Sequence, residues 1–216
     1  MIKAAIFDMD GTIADSEKIA WRVTRAFFKE RGITLTPEEE KTMYGLTWKE
    51  LVKEILVSRC FEYKQSIKNT LKERYVRNLK KDVQPLPGIH NFLEIIRANF
   101  KTALATNSRI REVDIIFDKL DFGKYFDFKV AKNHVKLGKP SPEIYFKAAS
   151  LLEVQPCECV VFEDSIVGIQ AAKSAGMKCV ALINTYAAED LKHADMLIKN
   201  YGDISIEHIK KIGNEK

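Results

Sequence analysis

Cysteine is scarce: four residues (Cys60, Cys157, Cys159 and Cys179) are too few and too scattered for a disulfide framework. Cys157 and Cys159 form a C-x-C, but no second pair at zinc-binding spacing accompanies them, and Cys159 opens an apolar stretch that reads as a buried thiol. The four histidines (His90, His134, His193 and His208) stand alone, with no pair at ligand spacing. Apolar runs are short, none approaching the roughly 18 residues of a membrane span. The chain passes from Met1 straight into such a run, so no secretory leader is expected and a cytoplasmic protein is. Repeats and low-complexity segments are missing too. Charge of one sign is not dominant: 35 Lys and Arg against 30 Asp and Glu give +5, too dilute for a nucleic-acid footprint. With 46% hydrophobic residues, the chain can bury a sizeable core and a second, smaller one.

Short apolar runs recur at 4–7, 102–105, 126–130, 159–162, 179–183 and 196–198. Stretches with helical spacing lie between most of them, at 89–98, 110–120, 142–152 and 165–175. That alternation predicts an α/β fold, a doubly wound and mostly parallel sheet with helices on its faces. Residues 16–82 break the rhythm with consecutive helical segments at 17–31, 38–43, 48–57 and 61–80, punctuated by Gly32, Pro37 and Gly45. Gln84-Pro85-Leu86-Pro87-Gly88 then reads as a return linker. The expected division is a core of residues 1–14 and 85–216 with an inserted all-helical cap of residues 15–84. Residues 15–84 hold 16 Lys and Arg against 11 Asp and Glu, and so carry the whole charge excess. A positive lid would attract phosphorylated substrates, whereas the same charge on a solvated helical surface would mean nothing.

Four stations along the chain carry chemistry. Asp8-Met9-Asp10-Gly11-Thr12 follows the first apolar run, which puts two carboxylates at the carboxyl end of the first strand, the edge where open parallel sheets bind ligands. A carboxylate there can attack phosphorus if a divalent cation offsets the charge, and its partner can move the proton; acidic residues beside Gly also make ordinary turns. Thr106-Asn107-Ser108 ends the next core strand and offers a hydroxyl and an amide to phosphate oxygens, with Ser108 the candidate cap of the helix that follows. Lys139 precedes Pro140-Ser141-Pro142, where Ser141 as cap and Pro142 in the first helical position predict a helix start. A lysine at that point makes an anion site. Glu163 and Asp164 end another apolar strand, a costly placement unless compensated. Either Asp164 caps the next helix or the pair forms a hard oxygen site suited to Mg²⁺, with Asp164 the direct ligand.

The order Asp8-x-Asp10-Gly11-Thr12, Thr106, Lys139-Pro140, Glu163-Asp164 resembles the four-motif signature of the haloacid dehalogenase superfamily. Phe162-Glu163-Asp164-Ser165-x-x-Gly168 resembles its beta-phosphoglucomutase and small sugar-phosphate phosphatase branch, and the likeness covers nearly the whole chain. It implies Asp8 as nucleophile, forming an aspartyl-phosphate, and Asp10 as general acid and then base. It implies Thr106, Asn107 and Lys139 as phosphate ligands. It implies Mg²⁺ held by Asp8, the main-chain carbonyl of Asp10 and Asp164, with Glu163 in support. Dehalogenating members lack the second Asp, so carbon–halogen chemistry is not expected here. Mutases of the branch resemble one another in a His on the first cap helix and an Arg after the cap Gly, where this chain has Ala20 and Trp48. Hydrolysis is therefore the expected reaction and sugar-phosphate mutation the alternative, for which Lys49 would stand in for the Arg. The expected partner is a small phosphorylated metabolite, with neither nucleic acid nor membrane, and the expected state a monomer. Specificity is expected around 44–48 and the first cap helix, where Trp21, Tyr44 and Trp48 line a pocket or simply fill the core.

Overall fold

A computed structural model describes residues 1–37, 39, 48–59, 62 and 64–214. They form two compact units, Met1–Asp15 with Gln84–Lys216, and Ser16–Val83. The first is built on six parallel strands: β1 (Ala4–Phe7), β2 (Lys101–Ala105), β3 (Phe128–Val130), β4 (Cys159–Glu163), β5 (Lys178–Leu182) and β6 (Met196–Ile198). All four residues of β1 and all five of β4 are buried, which is what helices on both faces of a parallel sheet demand. The strand order is β3-β2-β1-β4-β5-β6. The chain first winds outward through β2 and β3, then returns to lie on the other side of β1, so the crevice at the carboxyl ends of β1 and β4 is the switch point of a doubly wound sheet. Register is set by Phe7, level with Leu104 on one side and Phe162 on the other. Its ring stacks on Phe162 with centroids 4.5 Å apart and meets Phe92 and Phe126 edge-on, an aromatic cluster directly beneath the strand ends.

Helices α4 (Ile89–Arg97), α5 (Ile110–Leu120), α6 (Glu143–Leu151), α7 (Ile166–Ser174) and α8 (Ile206–Ile212) complete this unit. Three starts differ from the sequence reading. Ser108 does not cap α5, since its hydroxyl turns to Asp10 and Asn133 Oδ1 accepts the Ile110 N–H at 3.2 Å instead. α6 begins at Glu143, one residue after the predicted start, with Ser141 Oγ accepting the Glu143 N–H at 3.4 Å. At α7 the cap is Ser165, whose Oγ accepts the Gly168 N–H at 3.1 Å, so Asp164 is released from that duty. The two crossings run side by side: Asp15 N–H donates to Gln84 and Leu86 N–H to Ile13.

The second unit holds α1 (Glu17–Lys29), α2 (Trp48–Ser58) and α3 (Gln65–Asp82). α1 and α3 run antiparallel, because Arg22 near the start of α1 pairs with Asp82 at the end of α3 while Glu30 meets Arg74 further back at 2.7 Å. Ile19, Val23, Phe27, Phe28, Leu71 and Leu79 are buried in this unit. The segment 38–43 apart from residue 39, Gly45 and most of the expected specificity region at 44–48 lie outside the described residues, as does Cys60. Among the described residues no helix is long and apolar enough to cross a membrane.

Candidate active site

A tight turn leaves β1. The Met9 carbonyl accepts N–H groups from Ile13 and Ala14, both at 3.0 Å, and Gly11 sits at φ +78°, where an L side chain is strained. Space forbids one as well, since a Cβ on Gly11 would lie 2.1 Å from Asp164 Oδ2. The glycine therefore lets the turn close against the end of β4. Asp8 is fixed there through its N–H, which donates to the Phe162 carbonyl at 2.9 Å.

Asp8, Lys139, Glu163 and Asp164 converge in this crevice, each less than a tenth exposed. Lys139 Nζ donates to Asp8 Oδ1 at 2.5 Å and to Glu163 Oε1 at 2.6 Å. Glu163 is further held by the Tyr145 hydroxyl at 2.8 Å on Oε1, and by Asp164 N–H, Ser165 N–H and Ser165 Oγ at 2.8–3.0 Å on Oε2. Burial alone would raise the Glu163 pKa, but the Lys139 charge and these donors outweigh it and hold the carboxylate ionised below the usual range. Lys139 is kept protonated above its usual range, the charges of Asp8 and Glu163 overcoming the cost of burial. Asp8 carries the imbalance. Burial pushes its carboxyl well up, Lys139 opposes this, and Glu163 and Asp10 add to the rise.

Asp10 faces the other way. Its Oδ2 accepts from Ser108 Oγ at 2.6 Å and from Thr106 Oγ1 at 3.3 Å, while Thr106 Oγ1 also accepts the Ser108 N–H at 3.0 Å. Asn107 points to the main chain of Lys139, accepting its N–H at 2.9 Å and donating to its carbonyl at 3.2 Å. The Asn107 side chain thus brackets the residue that delivers the ammonium.

The carboxylates of Asp8, Glu163 and Asp164 each offer an oxygen within 4.8 Å of the others. Three buried carboxylates against one ammonium leave a surplus of two negative charges, and every donor is a hard oxygen. That set fits a small divalent cation such as Mg²⁺. Within it, Glu163 is the member already committed to Lys139, Tyr145 and the start of α7.

The sequence profile of the haloacid dehalogenase-like hydrolases matches residues 5–182, which spans β1 through β5. The chain belongs to that family. Haloacid dehalogenase-like hydrolases similar to it include the phosphorylated carbohydrates phosphatase of Thermotoga maritima, 35% identical over 82% of this chain and 83% of that protein. The fructose-1-phosphate phosphatase of Escherichia coli strain K12 is 33% identical over 81% of this chain and 93% of its own. Among solved structures, the beta-phosphoglucomutase of Clostridium difficile aligns with a TM-score of 0.79 at 28% identity, covering 99% of this chain and 98% of that one. The protein is accordingly an enzyme of this hydrolase family, with a Rossmann-like core.

Some residues of this haloacid dehalogenase-like site escape a motif reading. Tyr145 looks like one more apolar position of α6, yet its hydroxyl reaches Glu163. Tyr201 donates to the Thr12 carbonyl at 2.6 Å across 189 positions. Asn184 and Thr185, in the loop after β5, reach Gly11 and Asp164. Nothing local in the sequence marks any of them.

Proposed function

We propose that the chain is a Mg²⁺-dependent phosphatase that hydrolyses a small phosphorylated metabolite, a sugar phosphate, through an aspartyl-phosphate on Asp8. The observation that carries this reading is the buried crevice in which Asp8, Lys139 and Asp164 meet at the switch point of the sheet. Asp8, Asp164 and the Asp10 carbonyl would hold the cation, which supplies charge neutralisation for a carboxylate approaching a phosphate dianion. An Asp8 carboxylate oxygen forms the bond to phosphorus as the bond to the alcohol oxygen breaks, and Asp10 delivers its proton to that oxygen. Ser108 and Thr106 hold the Asp10 carboxylate through Oδ2 and so orient it for the proton transfer. Asp10 then accepts a proton from the water that attacks the phosphorus and releases Asp8. Thr106 and Lys139 line the phosphoryl group, with Asn107 acting through the main chain of Lys139.

Sugar-phosphate mutation is the second reading, favoured by the beta-phosphoglucomutase likeness and opposed by Ala20 and Trp48 at the positions where mutases resemble one another. Phosphate release from a panel of sugar, nucleotide and glycerol phosphates, with Mg²⁺ and with EDTA, tests the first. Metal-dependent release that disappears in Asp8→Asn supports hydrolysis. Retained activity in that variant overturns the mechanism, and isomerised sugar phosphate in NMR spectra, with a bisphosphate primer and no net phosphate release, replaces hydrolysis with mutation.

A further inference from the structure

The loop after β5 sends two polar side chains to the same strand edge. Asn184 Nδ2 donates to the Gly11 carbonyl at 2.9 Å, across 173 positions of sequence. Its neighbour Thr185 donates its hydroxyl to Asp164 Oδ2. On the opposite oxygen, Asp164 Oδ1 accepts the Thr12 hydroxyl at 3.1 Å. The loop is tied to the sheet, with Ile183 N–H bonded to the Ile198 carbonyl at 2.8 Å. Gly11 completes the arrangement by omission, because a Cβ there would lie 2.1 Å from Asp164 Oδ2 and 2.8 Å from Thr185 Oγ1.

We propose that Thr185 is a positioning residue for the cation site, acting through Asp164. The inference rests on the reading of this crevice as a divalent-cation site. A carboxylate turns easily about its last torsion, whose energy profile is broad and two-fold. One hydroxyl on Oδ1 leaves that rotation open, whereas a second on Oδ2, from a different segment of chain, closes it. An ionised carboxylate has about four acceptor sites, so one hydroxyl on each oxygen does not by itself exhaust either oxygen. Thr12 comes from the nucleophile turn and Thr185 from the far side of β4, so the orientation of Asp164 is fixed against both segments before a cation arrives. Partners that orient a ligand in this way are worth about 10–100-fold in metal affinity.

The test is calorimetric titration of MgCl₂ into the full-length, phosphate-free protein and three variants. Thr185→Val keeps the shape and removes the hydroxyl, and is expected to weaken Mg²⁺ binding by about 10-fold or more. Thr185→Ser keeps the hydroxyl and is expected to stay within about twofold of the wild type. Thr185→Ala supplies the comparison if the valine variant does not fold, since the site is only half-buried. Unchanged Mg²⁺ affinity without the hydroxyl overturns the inference, even if the melting temperature falls, because a merely structural role would give that pattern. Absence of Mg²⁺ binding by the wild-type protein overturns the metal reading and this inference with it. Wild-type binding that Thr185→Val leaves intact overturns this inference alone.

Discussion

One ammonium serves two carboxylates: Lys139 Nζ lies 2.5 Å from Asp8 and 2.6 Å from Glu163, with almost no solvent to share the load. Lys139→Met is therefore expected to lower kcat by about 10²-fold or more, through lost stabilisation of the phosphoryl oxygens and an Asp8 carboxyl that rises further. Lys139→Arg should not rescue it, because a planar guanidinium fork does not fit between two carboxylates arranged around a point charge. Steady-state kinetics of both variants checks this, and recovery in Lys139→Arg would show that charge alone matters. Tyr145→Phe removes one of several donors to Glu163 and should cost about 1 kcal/mol in a urea melt, with a much smaller effect on kcat. The motif carboxylates were legible because they stand at strand ends, where an apolar run stops abruptly, and Lys139 because it stands just ahead of a helix start. Tyr145 and Thr185 were not, because their partners are brought to them only by folding. Asn107 and Ser108 were legible as polar groups at the right place but not in their partners, since a turn of one residue exchanges which side chain faces the site.

At the level of elements, Gly168 shows a local preference losing to a contact. Alanine inside α7 should gain about 1 kcal/mol over glycine by helix propensity. A Cβ at that position, however, would fall 1.8 Å from Glu163 Oε1, and Glu163 is held by Lys139, Tyr145, Ser165 and the Asp164 N–H. Gly168→Ala is expected to lower both the melting temperature and kcat, and a more stable, fully active variant would refute the argument. A second device ties α7, β5 and β6 together. Asp195 accepts from Lys173 Nζ at 2.7 Å and from the Cys179 N–H at 2.8 Å. Burial works against its carboxylate, but these donors outweigh it and hold the pKa below the ordinary 3.8. A lowered folded value means stability that is complete above 3.8 and lost as pH falls through the folded value. Asp195→Asn should thus cost about 1–2 kcal/mol near neutral pH and progressively less as the pH falls below 3.8, measured by urea melts across that range. The strands were legible from their apolar runs, with β3 shorter than expected for a definite reason. The Asp127 carboxylate takes the Thr102 N–H at 2.8 Å, so the ladder starts only at Phe128 opposite Ala103. The short α8 went unread because only Ile209 and Ile212 of it are buried, too few to show a period.

On the scale of the whole molecule, charge and topology combine. The sheet reverses its winding at β1 and β4, and the polypeptide places three buried carboxylates there with one lysine to balance them. Such a surplus destabilises the folded chain, since in the unfolded chain the same groups are hydrated and far apart. A divalent cation that binds only the folded crevice should reverse the deficit. At 100 times its Kd it adds about 2.7 kcal/mol, and for a chain of this size each kcal/mol raises Tm by about 2–4 °C. The expected shift between EDTA and saturating Mg²⁺ is thus about 5–10 °C. All the proposed ligands lie in the unit formed by Met1–Asp15 and Gln84–Lys216, so if calorimetry resolves two transitions, only the one belonging to that unit should move. Asp164→Asn should abolish the shift, and its EDTA form should melt no lower than the wild type in EDTA, because removing one of three crowded carboxylates relieves repulsion as well as losing bonds. Asp195→Asn, also acidic but remote from the crevice, should keep the full shift. Equal Mg²⁺ stabilisation of wild type and Asp164→Asn would mean that the cation binds elsewhere, and the buried charge surplus would then have to be offset by something other than a metal.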